Sequence, residues 1–416
     1  MTPLHDVRTM VLAACAVGAP VQATRHVAAG LVLASDVVSG ENVPPFANTA
    51  VDGYAVRSSD LQTVPVELQI VGELAAGAAP SIAVAPGTAI RIMTGAPLPE
   101  GCDAVVMVED TERVGSDSVR IHKSVPAGSA FRLAGSDVAV GDTVITAGTQ
   151  VTPMVEGVLA SVNATTISVY PRISVGVIST GDELVDDGSA LAIGQIRESN
   201  RLMLLRLVEE AGATPVDLGI IRDDEPALER ALRTAVNERA CDVIITSGGV
   251  SMGDYDVVKA VLSRIAHMQW FQIAMKPAKP FAFGTLANDQ GVNVPIFGLP
   301  GNPVSSLMSF ELIARPALRH MMGFGTAAHR PEVLAITDED IVRHEDGKIH
   351  FDRVRATWGS DGRVHVRRTG AQGSHQLAST SIANALIAVP DGNGLRTGDE
   401  VVVTFLGPDA GPFTAK

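Results

Sequence analysis

At 416 residues with 46% hydrophobic side chains, the chain has material for roughly two to four packed domains, but aromatics are only 4%, so the cores must be built from Val, Ile, Leu and Ala. Forty-six acidic against 32 basic side chains give a net charge of −14, which argues against a nucleic-acid or anionic-membrane partner. Cys15, Cys102 and Cys241 are too few and too scattered for a disulfide framework or a cysteine metal site, which fits a reducing cytoplasm.

The chain opens on an amphipathic helix with Val7, Met10, Val11 and Ala14 on one face. Val11-Leu-Ala-Ala-Cys15 imitates a lipoprotein cleavage site. However, the apolar stretch is short of a secretory core of about 7–15 residues, and Asp6 stands where positive charge is wanted. No run approaches the ~18 apolar residues of a membrane span. Residues 1–40 read as helical and then extended. Residues 41–150 are dense in Gly and Pro, with short runs such as Val64–Val71 and Ser118–His122, and read as mostly β. A helical pattern follows Pro153.

From Arg172 strands and helices alternate. Strand 173–178 precedes a helix that starts at Ser199 or Asn200, runs to Glu210 and stops at Gly212. Strand 215–221 precedes a helix opened by Asp223, Asp224, Glu225 and Pro226, the expected helix-start chemistry. Strand 242–246 leads to a helix near 254–265, and strand 294–298 to one near 303–320. This alternation predicts an α/β fold with a doubly wound, mostly parallel αβα middle domain. Gly323-Phe-Gly325 and Arg330-Pro331 mark a boundary, and the last ~85 residues read as all-β.

Three of these strands end in small, hydroxylic or glycine residues: Ser179-Thr180-Gly181, Ser247-Gly248-Gly249 and Pro300-Gly301-Asn302, the last followed by Ser305. In a parallel sheet such turns gather at the carboxyl edge, where ligands bind. Glycine admits close backbone approach and helix starts favour anions, so the pattern points to a phosphorylated or otherwise anionic small molecule. Lys276-Pro-Ala-Lys279-Pro280 stiffens two ammonium groups into a candidate oxyanion clamp, against the alternative of a solvated charged turn. Asp182 and Glu183, Asp223 and Asp224, and Asp254 and Asp256 would lie along the same edge. Carboxylates beside a phosphate site suggest Mg²⁺, with helix capping the competing use for Asp223 and Asp254. There is no Gly-x-Gly-x-x-Gly, Gly-Lys-Ser/Thr loop or Gly-x-Ser-x-Gly elbow, so covalent catalysis by Ser or Cys is poorly supported.

Taken together, Ala50-Val-Asp-Gly-Tyr-Ala55, Arg91-Ile-Met-Thr-Gly-Ala-Pro-Leu-Pro-Glu-Gly101, Ser179-Thr-Gly-Asp-Glu-Leu184, Ser247-Gly-Gly-Val-Ser251, Lys276-Pro-Ala-Lys-Pro280 and Leu299-Pro-Gly-Asn-Pro-Val304 resemble the molybdopterin molybdenumtransferase family, which includes the gephyrin E domain. The resemblance spans nearly the whole chain. It implies a multi-domain α/β plus β fold: a helical linking part (1–40 and 141–171), a small β-rich domain (41–140), the αβα domain (172–325) and a C-terminal β-barrel (331–416). It implies reaction of adenylylated molybdopterin with molybdate, Mg²⁺ dependence and release of AMP, in a cytoplasmic homodimer working beside other cofactor-synthesis enzymes. Each site would combine the middle domain of one subunit with the small β domain of the other. The family's catalytic positions fall on Asp52, Thr94, Glu183, Asp224, Asp256, Lys276 and Lys279, with Glu183, Asp224 and Asp256 toward the metal. Ser374, with Arg368 nearby, looks like the molybdate-side serine. Val51 stands where the family often has Met, and Phe131-Arg-Leu-Ala-Gly-Ser-Asp137 replaces an Arg-rich stretch. The alternative, a dimeric scaffold of the same fold that binds a protein without catalysis, predicts loss of charged site residues, and this chain keeps them.

Overall fold

The computed structural model describes residues 1–250, 257–407 and 411–412. They divide into two compact units. The larger comprises Met1–Val21, Gly30–Ala34 and Val169–Lys416; the smaller comprises Gln22–Ala29 and Ser35–Ser168.

The larger unit is built on a six-stranded sheet. Its order is Thr214–Ile221, Ser174–Thr180, Val243–Ser247, Asn293–Leu299, Pro280–Ala287 and His267–Gln272. The first four strands are parallel. The last two pair antiparallel with their neighbours, which makes the sheet mixed at one edge. All five residues of Val243–Ser247 are buried, the continuous apolar run expected of a strand covered on both faces. Side chains alternate between the faces: Val243 and Ile245 join one core with Phe297 and Leu299, while Ile244 joins the other with Ile296. Helices Asn200–Glu210 and Pro303–Ser309 pack on the first face, through Leu204, Val208, Val304 and Met308. Helices Glu225–Asn237 and Val257–Ile265 cover the second, through Leu228, Leu232, Val258 and Leu262. This is the doubly wound arrangement that the alternation predicts.

From the strand Ser174–Thr180 the chain moves outward to Thr214–Ile221, then returns past it to Val243–Ser247. The topological switch therefore lies between Ser174–Thr180 and Val243–Ser247, where an open sheet leaves a crevice at the carboxyl ends.

The C-terminal part is a closed barrel. Strands Ile349–Trp358, Val364–Arg368, Glu332–Thr337, Glu400–Phe405 and Ala385–Val389 follow one another in space, and the last pairs back to the first. Its core is aliphatic, with Val354, Val366, Ile387 and Val403 at its centre. Met275–Lys276 adds to the barrel as a parallel strand on Ile349–Trp358, so the lysine-bearing segment bridges sheet and barrel. The helix Leu4–Ala14 buries Leu4, Val7 and Val11 in the same unit; of the expected face, Met10 is half-buried and Ala14 is exposed, because Leu4 and Cys15 complete the buried stripe instead.

The smaller unit centres on a six-stranded sheet ordered Ala104–Met107, Gly53–Val56, Thr88–Ile92, Val66–Leu74, Ser118–Ile121 and Thr111–Val114. Alternation serves two cores here too: Tyr54 and Val56 face one, Ala55 the other. Among the described residues, no helix is long and apolar enough to cross a membrane.

Candidate functional site

A cleft of about 780 Å³ opens at the switch point. All three strand-end turns form its wall: Ser179, Thr180 and Gly181; Ser247, Gly248 and Gly249; Pro300, Gly301 and Asn302. Ser305 lies inside the helix Pro303–Ser309 and is buried, away from that wall. Gly181 has φ +146°, and a Cβ there would stand 2.6 and 2.7 Å from the carboxylate oxygens of Glu183. Only glycine therefore lets Glu183 fold over the turn. Gly248, at φ +99°, brings its Cα face against Thr180, where a Cβ would meet both the carbonyl and hydroxyl oxygens at 3.2 Å. Its N–H donates to the Leu299 carbonyl at 3.0 Å, which ties it to the end of the neighbouring strand.

The residues at the start of the helix Asn200–Glu210 tie the turns together. Asn200 donates from Nδ2 to Ser247 Oγ (2.9 Å) and to the Gly301 carbonyl (2.7 Å). Glu198 accepts at Oε1 from Ser179 Oγ (2.9 Å) and from the Arg201 N–H (2.7 Å). Arg201 in turn pairs with Asp186 and Asp217. Burial opposes its charge, but Asp217 foremost, with Glu198 and Asp186, outweighs that and holds the guanidinium above its ordinary pKa. Glu198 and Asn200 are missed by sequence reading. Their signal was the polar run Arg197-Glu-Ser-Asn200, which reads as a helix cap. Ser199 does occupy the cap position but makes no side-chain cap hydrogen bond.

The carboxylates separate by role. Glu183 and Asp223 line the cleft. Asp224 accepts from the Ala227 N–H at 2.6 Å and caps the helix Glu225–Asn237. Asp182 accepts from the Asp223 N–H at 3.3 Å. Asp254 and Asp256 lie outside the described residues. Among the described residues, no three His, Cys, Asp or Glu converge as a ready-made metal cage. The two carboxylates on the wall suit a hard cation that takes its remaining oxygens from substrate phosphate and water, the usual way Mg²⁺ is held.

Lys276 and Lys279 are exposed. Pro280, the next residue, is on the cleft wall. Ile273 N–H donates to the Lys279 carbonyl at 2.7 Å, which holds the segment's bend. Nearby in the barrel, Asp352 is 8% exposed. Burial pushes its carboxyl up, opposed by the charges of Arg368, His350, Arg353 and Lys276. Ser374 is not on the cleft wall, but its carbonyl accepts from Val304 N–H at 3.1 Å, which holds its loop next to the helix that follows the Pro300–Asn302 turn. Arg368 is turned to Glu339, with its N–H at 2.5 Å and Nε at 3.6 Å from Oε1. A third residue missed by sequence reading is Arg353. It is fully buried, and Nη2 donates to Ala371 O (2.8 Å) and Ser379 Oγ (3.3 Å) behind the Ser374 loop, while Nε and Nη1 have no partner among the described residues. Burial lowers its pKa, yet such a cation favours an anion nearby.

In the smaller unit, Asp52 and Thr94 form a pair. Thr94 donates its backbone N–H and its hydroxyl to the same Asp52 oxygen, each at 2.7 Å. The backbone bond first, and the hydroxyl second, hold this exposed carboxyl below its ordinary range.

Comparison with known proteins agrees along most of the chain. Residues 2–163 match the family described as the MoeA N-terminal region (domains I and II), residues 176–320 the probable molybdopterin binding domain, and residues 340–406 the MoeA C-terminal region (domain IV). A molybdopterin molybdenumtransferase of Haemophilus influenzae is 37% identical over 375 residues, covering 90% of this chain and 91% of that one. The chain belongs to the molybdopterin molybdenumtransferase family. Molybdopterin molybdenumtransferase 2 of Mycobacterium tuberculosis is 40% identical, with 88% and 89% covered. The crystal structure of the molybdopterin biosynthesis MoeA protein of Pyrococcus horikoshii OT3 superposes with a TM-score of 0.79 at 29% identity, covering 98% of this chain and all of that one. As a molybdenumtransferase, this protein is an enzyme of molybdenum cofactor biosynthesis, and its cleft lies in the stretch matched as the probable molybdopterin binding domain.

Proposed function

We propose that this molybdenumtransferase takes adenylylated molybdopterin and molybdate, places the metal on the dithiolene and releases AMP, with Mg²⁺ required. The observation that carries the reading is the cleft itself. Three amide-rich turns and two carboxylates converge on one crevice at the strand switch, the lysine segment adjoins its wall at Pro280, and the Ser374 loop is held to the helix behind it through Val304. Backbone N–H groups of the turns would hold phosphate and pterin. The ammonium groups of Lys276 and Lys279 would neutralise molybdate and the charge that develops on transfer, the electrostatic contribution that is commonly largest. Glu183 and Asp223 would hold Mg²⁺, with Asp256 as a further ligand by family resemblance; the bound ion supplies polarisation of the phosphoanhydride. Asp224, spent on its helix cap, is left the lesser part. Asp52 and Thr94 would complete the pocket from a second copy, in a cytoplasmic homodimer supplied by other enzymes of cofactor synthesis.

The test is a single-turnover assay on the purified protein with adenylylated molybdopterin, Mg²⁺ and molybdate, with AMP separated by chromatography. Molybdate-dependent release of AMP, about one per site, is the expected result. Absence of AMP from folded protein in the presence of both ions overturns the reading.

A further inference from the structure

Asn200 begins its helix on the cleft wall and is 8% exposed. Its side-chain nitrogen reaches two strand-end turns at once, through the Gly301 carbonyl and Ser247 Oγ. A backbone carbonyl only accepts, so the amide nitrogen rather than the oxygen must face Gly301. That same nitrogen faces Ser247, and it carries donors only. Ser247 Oγ therefore accepts from Asn200, and its own proton is directed elsewhere. No described residue takes that proton, and Ser247 lines the cleft. The cost of this arrangement is visible: Asn200 Oδ1 is buried with no partner among the described residues. A buried acceptor left unmade is unfavourable, so the local fold gives up one hydrogen bond to keep the nitrogen where it is. The neighbouring turn is set the opposite way. Ser179 Oγ donates to the Glu198 carboxylate, which can only accept, so that hydroxyl is no donor to a ligand.

We propose that Asn200 is a positioning residue that presents the Ser247 hydroxyl as a fixed donor to phosphate, so that the cleft selects a phosphorylated pterin over its dephosphorylated form. The inference rests on the function proposed above and adds to it the part of the ligand that Ser247 reads. A hydroxyl free to rotate would serve acceptors and donors alike. One whose lone pair is already engaged by an amide favours acceptors, and phosphate oxygens are the strongest acceptors on such a ligand.

The experiment measures affinity of the full chain for molybdopterin and for dephosphorylated molybdopterin by fluorescence quenching, in the unmodified protein, Asn200→Ala, Ser247→Ala and the double variant. Asn200→Ala should weaken the phosphorylated probe about fivefold to tenfold and the dephosphorylated probe less than about twofold. In the Ser247→Ala background the same change should bring no further phosphate-selective loss, because no hydroxyl remains to be oriented. Asn200→Leu keeps roughly the side-chain size, adds no charge and removes the donor, so it carries the test if the alanine variant fails to fold, with the same selective loss expected. Equal losses on both probes, or a selective loss that persists without Ser247, would overturn this inference alone. Failure of the unmodified protein to bind either probe would overturn the proposed function and this inference with it.

Discussion

Thr94 donates twice to one oxygen of Asp52, and both bonds are stronger to the ionised form. The folded pKa of Asp52 is therefore depressed. Its contribution to stability is present above the unfolded value, about 3.9, and is lost as pH falls through the lower folded value. Thr94→Val removes the hydroxyl bond and keeps the backbone one. An NMR titration of the Asp52 carboxyl should show its pKa rise part of the way toward the ordinary value in that variant. An unchanged pKa would mean that the hydroxyl bond has no influence in solution. Legibility at this scale was uneven. Asp52 and Thr94 could be picked out because each sits in a turn that interrupts an apolar run. Asn200 could not, because its partners lie 47 and 101 residues away, and its only local signature is that of a helix cap. Arg353 was hidden in another way: in Ile349-His-Phe-Asp-Arg-Val an arginine reads as an outward-facing strand residue, yet it is fully buried. Among the described residues its side-chain acceptors come from the loop 371–379, brought back by barrel closure.

At the scale of elements, neighbouring aspartates at one helix start divide the work. Asp224 caps Glu225–Asn237, and Asp223 faces the cleft. Asp224→Ala should cost about 1 kcal/mol of stability in urea unfolding, the ordinary loss of an N-cap. Asp223→Asn should cost less than that, while lowering Mg²⁺-dependent AMP release tenfold or more, a loss of at least about 1.4 kcal/mol in transition-state stabilisation. The reverse ordering in the two assays would exchange their roles. The sheet itself was largely legible. Val243–Ser247 is buried throughout, so its apolar run shows without any need for alternation. The antiparallel edge was not, because Pro280–Ala287 and Asn293–Leu299 are joined by a short hairpin. Alternating strands and helices lead one to expect a crossover there, and only the pairing partner reveals the reversal.

Across the whole molecule, the lysine segment takes its place from two directions. Met275–Lys276 is hydrogen-bonded to the barrel strand Ile349–Trp358, and four residues on, Pro280 starts a strand of the cleft sheet. Barrel and sheet thus fix Lys276 and Lys279 together, which matters in a chain of net charge −14, where an anionic substrate depends on a local basic cluster. The proposed site needs one further part, Asp52 from a second copy. That requirement is tested by mixing two variants, Asp52→Ala and Lys276→Ala, each expected to be inactive alone, after dissociation and reassociation. In a site shared between copies, half of the randomly paired dimers contain one of each, and each of those has one intact site. AMP release should then recover to about a quarter of the unmodified level. If the mixture stays as inactive as its components although mixed dimers have formed, Lys276 and Asp52 do not serve one site across two copies, and the account of how this enzyme assembles its active centre is contradicted.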